Sequence, residues 1–190
     1  LSQAELFPSL PEGLAYREEF ISAGEERALA ERIAALPFAP FEFHGFLGKR
    51  RTVSFGWKYD FNEHGLQPTE PIPDWLEPLR DRAAAFAGGA AFDHSLVIEY
   101  APGAGIGWHR DRPVFEKVVG VSLLAPCRLR FRRKAGAKWE RAALSAQPRS
   151  AYLLTGPARS EWEHSIPEME ALRYSVTFRS LRRGRSAQSI

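Results

Sequence analysis

His109 and Asp111 stand one residue apart in the stretch GWHRDRP, Gly107 to Pro113. On a strand, residues two apart point to the same side, so both side chains can reach one ion while Trp108 and Arg110 turn away. A third ligand has to come from elsewhere, and the chain holds only 5 histidines. His44, His64 and His94 precede the pair, and His164 follows it in SEWEHSIPE. Two imidazoles and one carboxylate leave coordination positions open. That set suits non-haem Fe(II) and oxygen activation, and the same ligands suit catalytic zinc. Taken alone, His-x-Asp is a frequent accident of sequence.

The last strand changes its weight. In RYSVTFR, one face carries Arg173, Ser175, Thr177 and Arg179, and the other Tyr174, Val176 and Phe178. The apolar face reads as a packing surface, so the polar face looks either at water or into a polar pocket. Six residues of strand span ~20 Å. Two arginines leaning inward by roughly 6 Å each leave a gap of about 7 or 8 Å, the size of a short dicarboxylate. Guanidinium forks bind carboxylates bidentately.

The elements that carry these residues are legible in outline. Residues 1–20 read as an arm laying Leu6, Phe7 and Leu10 on the body. SAGEERALAERIAALP predicts a helix, opened by a Ser22/Glu25 capping box, with Leu29, Ile33 and Leu36 on one face and Pro37 at its end. KRRTVSFGWKYDF is β-like, with Phe55, Trp57, Tyr59 and Phe61 sharing one parity. A second helix is predicted from about Trp75 to Ala87, with Pro78 in its first turn and Gly88-Gly89 after it. Short strands follow at 96–100, 118–124, 129–133, 150–154 and 173–181. Two helices and then a run of strands argue for an α+β fold, with helices on the outside of a sandwich or barrel.

With 190 residues, 44% of them hydrophobic, the chain has enough apolar material for one domain with a sizeable core. The single cysteine, Cys127, excludes an intramolecular disulfide framework. No apolar run is long enough to span a bilayer and the start does not read as a signal peptide, so no membrane association and a cytoplasmic location are expected. A monomer is expected. The net charge of +3 permits nucleic-acid binding without demanding it. Basic residues cluster at Lys49–Arg51, at Arg128, Arg130, Arg132, Arg133 and Lys134, and at Arg179, Arg182, Arg183 and Arg185, which predicts a basic face.

With His109-x-Asp111, His164 and Arg173-x5-Arg179 in order, the sequence resembles the AlkB family of Fe(II)- and 2-oxoglutarate-dependent dioxygenases. EYAPGAGIGWHRD is similar to that family's Tyr-x-x-Gly lead-in, RYSVTFR to its closing signature, and KRRTVSFGWKYDF to its substrate-covering segment. The resemblance implies a double-stranded β-helix, or jelly roll, with helices buttressing one sheet. Residues 1–90 would form the arm, helices and covering segment, 91–183 the catalytic core and 184–190 a basic tail of one domain. It implies Fe(II) on His109, Asp111 and His164, with 2-oxoglutarate and O2 as cosubstrates. Arg173, helped by Tyr100, would pair with the distal carboxylate; Arg179 would lie nearer the iron, with Ser175 and Thr177 between them.

The implied reaction couples oxidative decarboxylation of 2-oxoglutarate to hydroxylation of an N-alkyl group, and the hemiaminal collapses to amine and aldehyde. The expected substrate is an alkylated base in DNA or RNA, in repair or demethylation, with Arg51, Trp57 and Tyr59 as contacts. Alternatives are a tRNA-modifying or protein-directed enzyme of the same family, and a binding module without turnover. The sequence departs from patterns found in the family at Ile98 and Ser175, where asparagine is common, and at Pro113, where some repair members carry an acid.

Overall fold

The computed structural model describes residues 10–43, 46–60 and 65–182, without the side chains of 41–43, 46, 47, 59 and 60. Leu6, Phe7, His44, Phe61, His64 and the chain beyond Arg182 lie outside that description. The chain runs through β1 (Leu14–Arg17), α1 (Ala23–Ala34), β2 (Ala39–Phe43), β3 (Phe46–Phe55), β4 (Trp57–Asp60) and β5 (Gly65–Pro68). A 3₁₀ turn, Asp74–Leu76, leads into α2 (Glu77–Phe86). Then come β6 (His94–Tyr100), β7 (Ile106–His109), β8 (Phe115–Leu123), β9 (Cys127–Ala135), β10 (Lys138–Ala146) and β11 (Ala151–Leu154). The short helix α3 (Gly156–Ser160), β12 (Glu163–Ile166) and β13 (Arg173–Leu181) complete it.

Two antiparallel sheets form the body. The larger has seven strands in the order β1-β11-β8-β13-β6-β3-β2, and the smaller four in the order β10-β9-β12-β7. From β6 to β13, strands consecutive in sequence cross from one sheet to the other except at the β9–β10 hairpin, which winds the chain into a double-stranded β-helix with a core between its walls. That core holds Val118, Leu129, Phe131, Leu144 and Leu154. On the outer side of the large sheet, α1 and α2 cover Val97, Val119, Val121, Val176 and Phe178 with Leu29, Ile33, Leu79 and Ala83. The jelly roll with helices on one sheet is the expected architecture.

Helix α1 begins as its sequence dictates. The Glu25 amide donates to Ser22 Oγ at 3.2 Å, and the Ser22 amide donates to Glu25 Oε2 at 2.7 Å. Strand β13 lies between β6 and β8, so both its edges are paired, and its residues from Arg173 to Ser180 are all buried. Its polar face therefore looks into the molecule, not at water.

The structure corrects three expectations. Within the expected arm, Leu14–Arg17 is a strand paired with β11 at the edge of the large sheet, and Leu10 is exposed, not laid on the body. The shared parity of Phe55, Trp57 and Tyr59 does not mark one strand, because Gly56, at φ +77°, breaks β3 from β4. The two belong to different sheets, and Phe55 packs under the helices. Nor do the basic clusters form one face. Lys49 and Arg51 pair with Glu168 and Glu99, Arg179 is buried, and the arginines of β9 lie on the outside of the small sheet.

Candidate active site

Pairing brings the predicted ligands together. β12 lies beside β7 with His164 opposite His109, and Asp111 follows two residues after the end of β7. One ligand atom from each of His109, Asp111 and His164 lies within 4.8 Å of the other two. The two imidazole centroids are 4.3 Å apart. His109 Nδ1–H donates to the Gly107 carbonyl at 2.8 Å, which leaves Nε2 with the lone pair a metal takes.

Electrostatics set the three groups in their ligating forms. Burial pushes the His164 imidazole down to about 3, helped by neighbouring His109. Burial also lowers His109, against the pull of Asp111. For Asp111 burial acts upward, but Arg179, His164 and His109 outweigh it and hold the carboxyl well below its usual range. Two neutral imidazoles and a carboxylate are the donor forms a divalent ion requires. His94, an upstream candidate ligand, is not in this cluster. It lies opposite Arg179 on β6, stacks at 5.0 Å on Phe115, and has no partner for Nδ1 among the described residues.

The polar face of β13 supplies the second half of the site. Arg179 donates to Asp111 Oδ1 at 3.2 Å and to Thr177 Oγ1 at 2.8 Å. Thr177 Oγ1 itself donates to the Leu96 carbonyl. Arg173 is fully buried, donates through Nε to Ser122 Oγ at 2.9 Å, and has Tyr100 opposite it on β6, the ring 5.2 Å from the guanidinium carbon. Its Nη1 and Nη2 have no hydrogen-bond partner among the described residues. A guanidinium buried with both outer nitrogens unpaired costs several kcal/mol, of order 1–3 for each unmet group. Such a group is kept for an anion that the folded chain does not itself provide. The fit to a dicarboxylate is therefore direct: Arg173 offers a fork for its far end, and Arg179 marks the end at the metal ligands.

A cavity of about 1390 Å³ opens over the ligand cluster and the Arg179 end of this face, while Arg173 lies behind its lining. Tyr100, Ser175, Thr177 and Arg179 line it together with His109, Asp111 and His164. Ile98 and Ser175, register partners on β6 and β13, both face it, as does Pro113. The predicted substrate contacts are placed differently. Arg51 is paired with Glu99 at 2.7 Å and, like Trp57, is outside the lining, while the side chain of Tyr59 is not described. Arg50 and Lys58 line the cavity in their stead. The offset is one residue on each strand, since alternate residues of a strand face opposite ways.

Sequence reasoning also missed Arg159 and Ser122. Arg159, on α3, is buried and donates to the carbonyls of Arg112 and Phe115, which brackets the loop that follows Asp111. A five-residue helix that opens with Gly156-Pro157 leaves no periodic pattern to read.

The profile of the 2OG-Fe(II) oxygenase superfamily matches residues 25–185. The chain belongs to that family. Its members use Fe(II), 2-oxoglutarate and O2, and the donor set and the unpaired Arg173 fit the first two. Curated relatives place it with the AlkB homologues. It is 27% identical over 199 residues to the "Alkylated DNA repair protein ALKBH8 homolog" of Arabidopsis thaliana, covering 90% of this chain and 56% of that protein. It is 29% identical over 174 residues to "Alpha-ketoglutarate-dependent dioxygenase alkB homolog 7, mitochondrial" of Bos taurus, covering 87% and 72%. With "tRNA (carboxymethyluridine(34)-5-O)-methyltransferase alkbh8" of Xenopus tropicalis the match is 27% over 168 residues, 85% of this chain but 26% of the relative. The chain thus spans between a quarter and about half of the ALKBH8 relatives. The fold is that of "The structure of OsALKBH1", with a TM-score of 0.68, 16% identity and 90% and 98% of the two chains covered. This 2OG-Fe(II) oxygenase of the AlkB family also shares its fold with a Pseudomonas putida prolyl-4-hydroxylase, at a TM-score of 0.62 and 18% identity over 90% and 94%.

Proposed function

We propose that this oxygenase removes N-alkyl groups from the bases of DNA or RNA. The observation that carries the reading is the charge of the cavity wall. Arg50, Lys58, Arg110, Arg112 and Arg182 line it together with the buried Arg159 and Arg179, against Asp111 as the single carboxylate among the described lining residues. The whole chain is only +3, so positive charge is gathered at this opening. A basic mouth over a wide pocket suits a substrate whose reacting part enters while its phosphates stay at the rim.

His109, Asp111 and His164 would hold the iron, and Arg173 and Arg179 the two ends of 2-oxoglutarate. When bound, the iron supplies oxygen activation, which couples decarboxylation of the cosubstrate to succinate with hydroxylation of a C–H bond. The chain's part is placement. Tyr100 and Ser122 hold Arg173, Thr177 and Asp111 hold Arg179, and the buried pocket keeps water from the reacting atoms. An alkyl carbon hydroxylated next to nitrogen leaves as aldehyde and returns the N–H to the base. The base has to leave its stack to reach the ligands, which disfavours intact duplex.

A second reading is action on tRNA or on protein, favoured by the likeness to relatives named as tRNA methyltransferases. The two are separated by loading the protein anaerobically with Fe(II), adding O2 and 2-oxoglutarate, and offering methylated single-stranded DNA, methylated tRNA and methylated peptides in turn. Mass spectrometry of the products is expected to show demethylated bases with succinate in equal amount. Succinate coupled only to a peptide product would overturn the nucleic-acid reading. No succinate with any partner would favour a binding module.

A further inference from the structure

The cavity rim does not end at the metal ligands. Trp108, between the ligand His109 and the exposed Gly107, lines the cavity and also begins the outer face of the small sheet. On that face β9 presents Arg128, Arg130, Arg132 and Lys134, one at every second residue, while Leu129 and Phe131 face the core. Arg141 of β10 stands opposite Arg132, and Trp139 opposite Lys134. From β12 the face receives Ser165 and Glu163, opposite Arg130 and Arg132. Glu163 is the one carboxylate among these residues, and it pairs with Arg132 at 2.6 Å. Arg128, Arg130, Lys134 and Arg141 have no ion-pair partner among the described residues.

These cations are held in place. Arg132 stacks between two indoles, 4.5 Å from the centroid of Trp108 and 4.5 Å from that of Trp139. Arg130 lies 5.2 Å from Trp108, and Lys134 5.6 Å from Trp139. Trp108 is on β7 and the arginines are on β9, with β12 between, so the guanidiniums lean over roughly 10 Å of sheet to reach it. The result is a continuous run of alternating cation and indole from Trp139 to the mouth of the cavity. Stacking on the indoles holds the planar guanidiniums of Arg130 and Arg132 in place, so little side-chain freedom is lost when an anion arrives. Trp139 is 40% exposed, a large aromatic left uncovered beside this charge.

We infer that the outer face of the small sheet is a docking track for single-stranded nucleic acid, its row of cations on β9 joined across β12 to Trp108 and the cavity. Successive cations at about 6.6 Å along the strand match a row of phosphates, and exposed indole offers a face on which any base stacks. An acidic peptide would be served by the charge but not by the indoles. The inference rests on the nucleic-acid reading of the site, and extends it from the reacting base to the flanking strand.

The test uses the protein loaded with Zn(II) and 2-oxoglutarate and a fluorescein-labelled, unmodified deoxythymidine 20-mer, followed by anisotropy across a salt series. The variant Arg128→Gln/Lys134→Gln/Arg141→Gln changes three exposed side chains and touches no ligand to metal or cosubstrate. It is expected to weaken binding by about tenfold at low salt and to lower the slope of log affinity against log salt by about 2, given ~0.7 per lost phosphate contact. Trp139→Ala is expected to weaken binding with the salt slope unchanged. Turnover of a methylated mononucleoside, too short to reach β9, is expected to be unaltered in both variants. An unchanged slope in the triple variant overturns the track, as does poly-glutamate of equal length binding as tightly as the oligonucleotide. Base demethylation with an unchanged slope would remove the track alone. A slope change without demethylation of any base would keep the track and remove the dealkylation reading.

Discussion

At the scale of single residues, the site is defined by what each buried polar group lacks. Asp111 has Arg179 as a partner and two imidazoles beside it, so its carboxylate is paid for electrostatically before a metal arrives. Asp111→Asn keeps an acceptor for Arg179 but removes the anionic donor. It is expected to lower succinate formation by at least ~100-fold while melting within a few degrees of the parent, because the hydrogen bond survives. Full turnover in that variant would refute the ligand assignment. Arg173 presents the opposite case, a buried cation whose outer nitrogens wait for a partner. Replacing it with the apolar, similarly long Arg173→Met should leave the ligand-free protein as stable or more so, since an uncompensated charge is gone. The same variant should lose roughly 100-fold or more in 2-oxoglutarate affinity, as truncating one side of a buried charge pair does. Thermal shift with Mn(II) checks both halves. The parent gains about 2.7 kcal/mol at one hundred times its dissociation constant, and the variant gains no more than about 0.4 kcal/mol at that concentration.

At the scale of elements, the break between β3 and β4 decides which residues face the cavity. Gly56 holds φ +77°, and a Cβ there would lie 2.0 Å from the Asp93 carbonyl oxygen. Its amide donates to the Glu70 carbonyl at 2.6 Å, which fixes the turn from both sides. Gly56→Ala is expected to destabilise by more than about 2 kcal/mol, from the strained conformation and the backbone clash together. Urea unfolding measures it, and a loss under half that value would show the turn to be yielding. The same glycine explains why the sequence was readable in one place and not another. Arg173, Ser175, Thr177 and Arg179 alternate without interruption along one strand, so period two alone put them on one face; His109 and Asp111 followed from type and spacing, while the choice of His164 among four histidines came from the family resemblance. Phe55, Trp57 and Tyr59 alternate equally well, yet a single residue at positive φ divides them between sheets. Parity cannot register such a break, and the residues it offered, Arg51 and Trp57, lie one position from Arg50 and Lys58, which line the cavity. The helix carrying Arg159 is shorter than two turns, and Ser122 matters only because β8 lies beside β13. Both depend on pairing between distant segments, which no local pattern encodes.

At the scale of the whole molecule, the two walls of the jelly roll enclose an interior short of negative charge. Arg159, Arg173 and Arg179 are buried with His94 and His164, and Asp111 is the one carboxylate among the described residues that line the cavity. The fold accommodates this by keeping its buried imidazoles neutral. Burial, with Arg179 adding to it, pushes His94 down to about 3, and His164 is lowered to about the same value. Stability then depends on pH in a definite direction. Above pH 6.5 both folded and unfolded histidines are neutral and the contribution is complete. As pH falls below 6.5 the unfolded chain takes up protons that the folded chain refuses, so stability declines until the folded groups titrate near 3. Carboxylates held low in the folded state, Asp111 and Glu25, add their own loss only at more acidic pH, below their ordinary range of about 4. The interval between pH 6.5 and 5 therefore isolates the histidines. One imidazole lowered this far is expected to cost about 2 kcal/mol by pH 5. His94→Gln removes one such group without touching the three metal ligands. Metal-free parent and variant, unfolded in urea at pH 7.5 and at pH 5, should differ in their acid loss by roughly that amount, the variant losing less. Equal losses in the two proteins would mean that His94 takes up its proton in the folded state, and that the interior tolerates more positive charge than its burial allows.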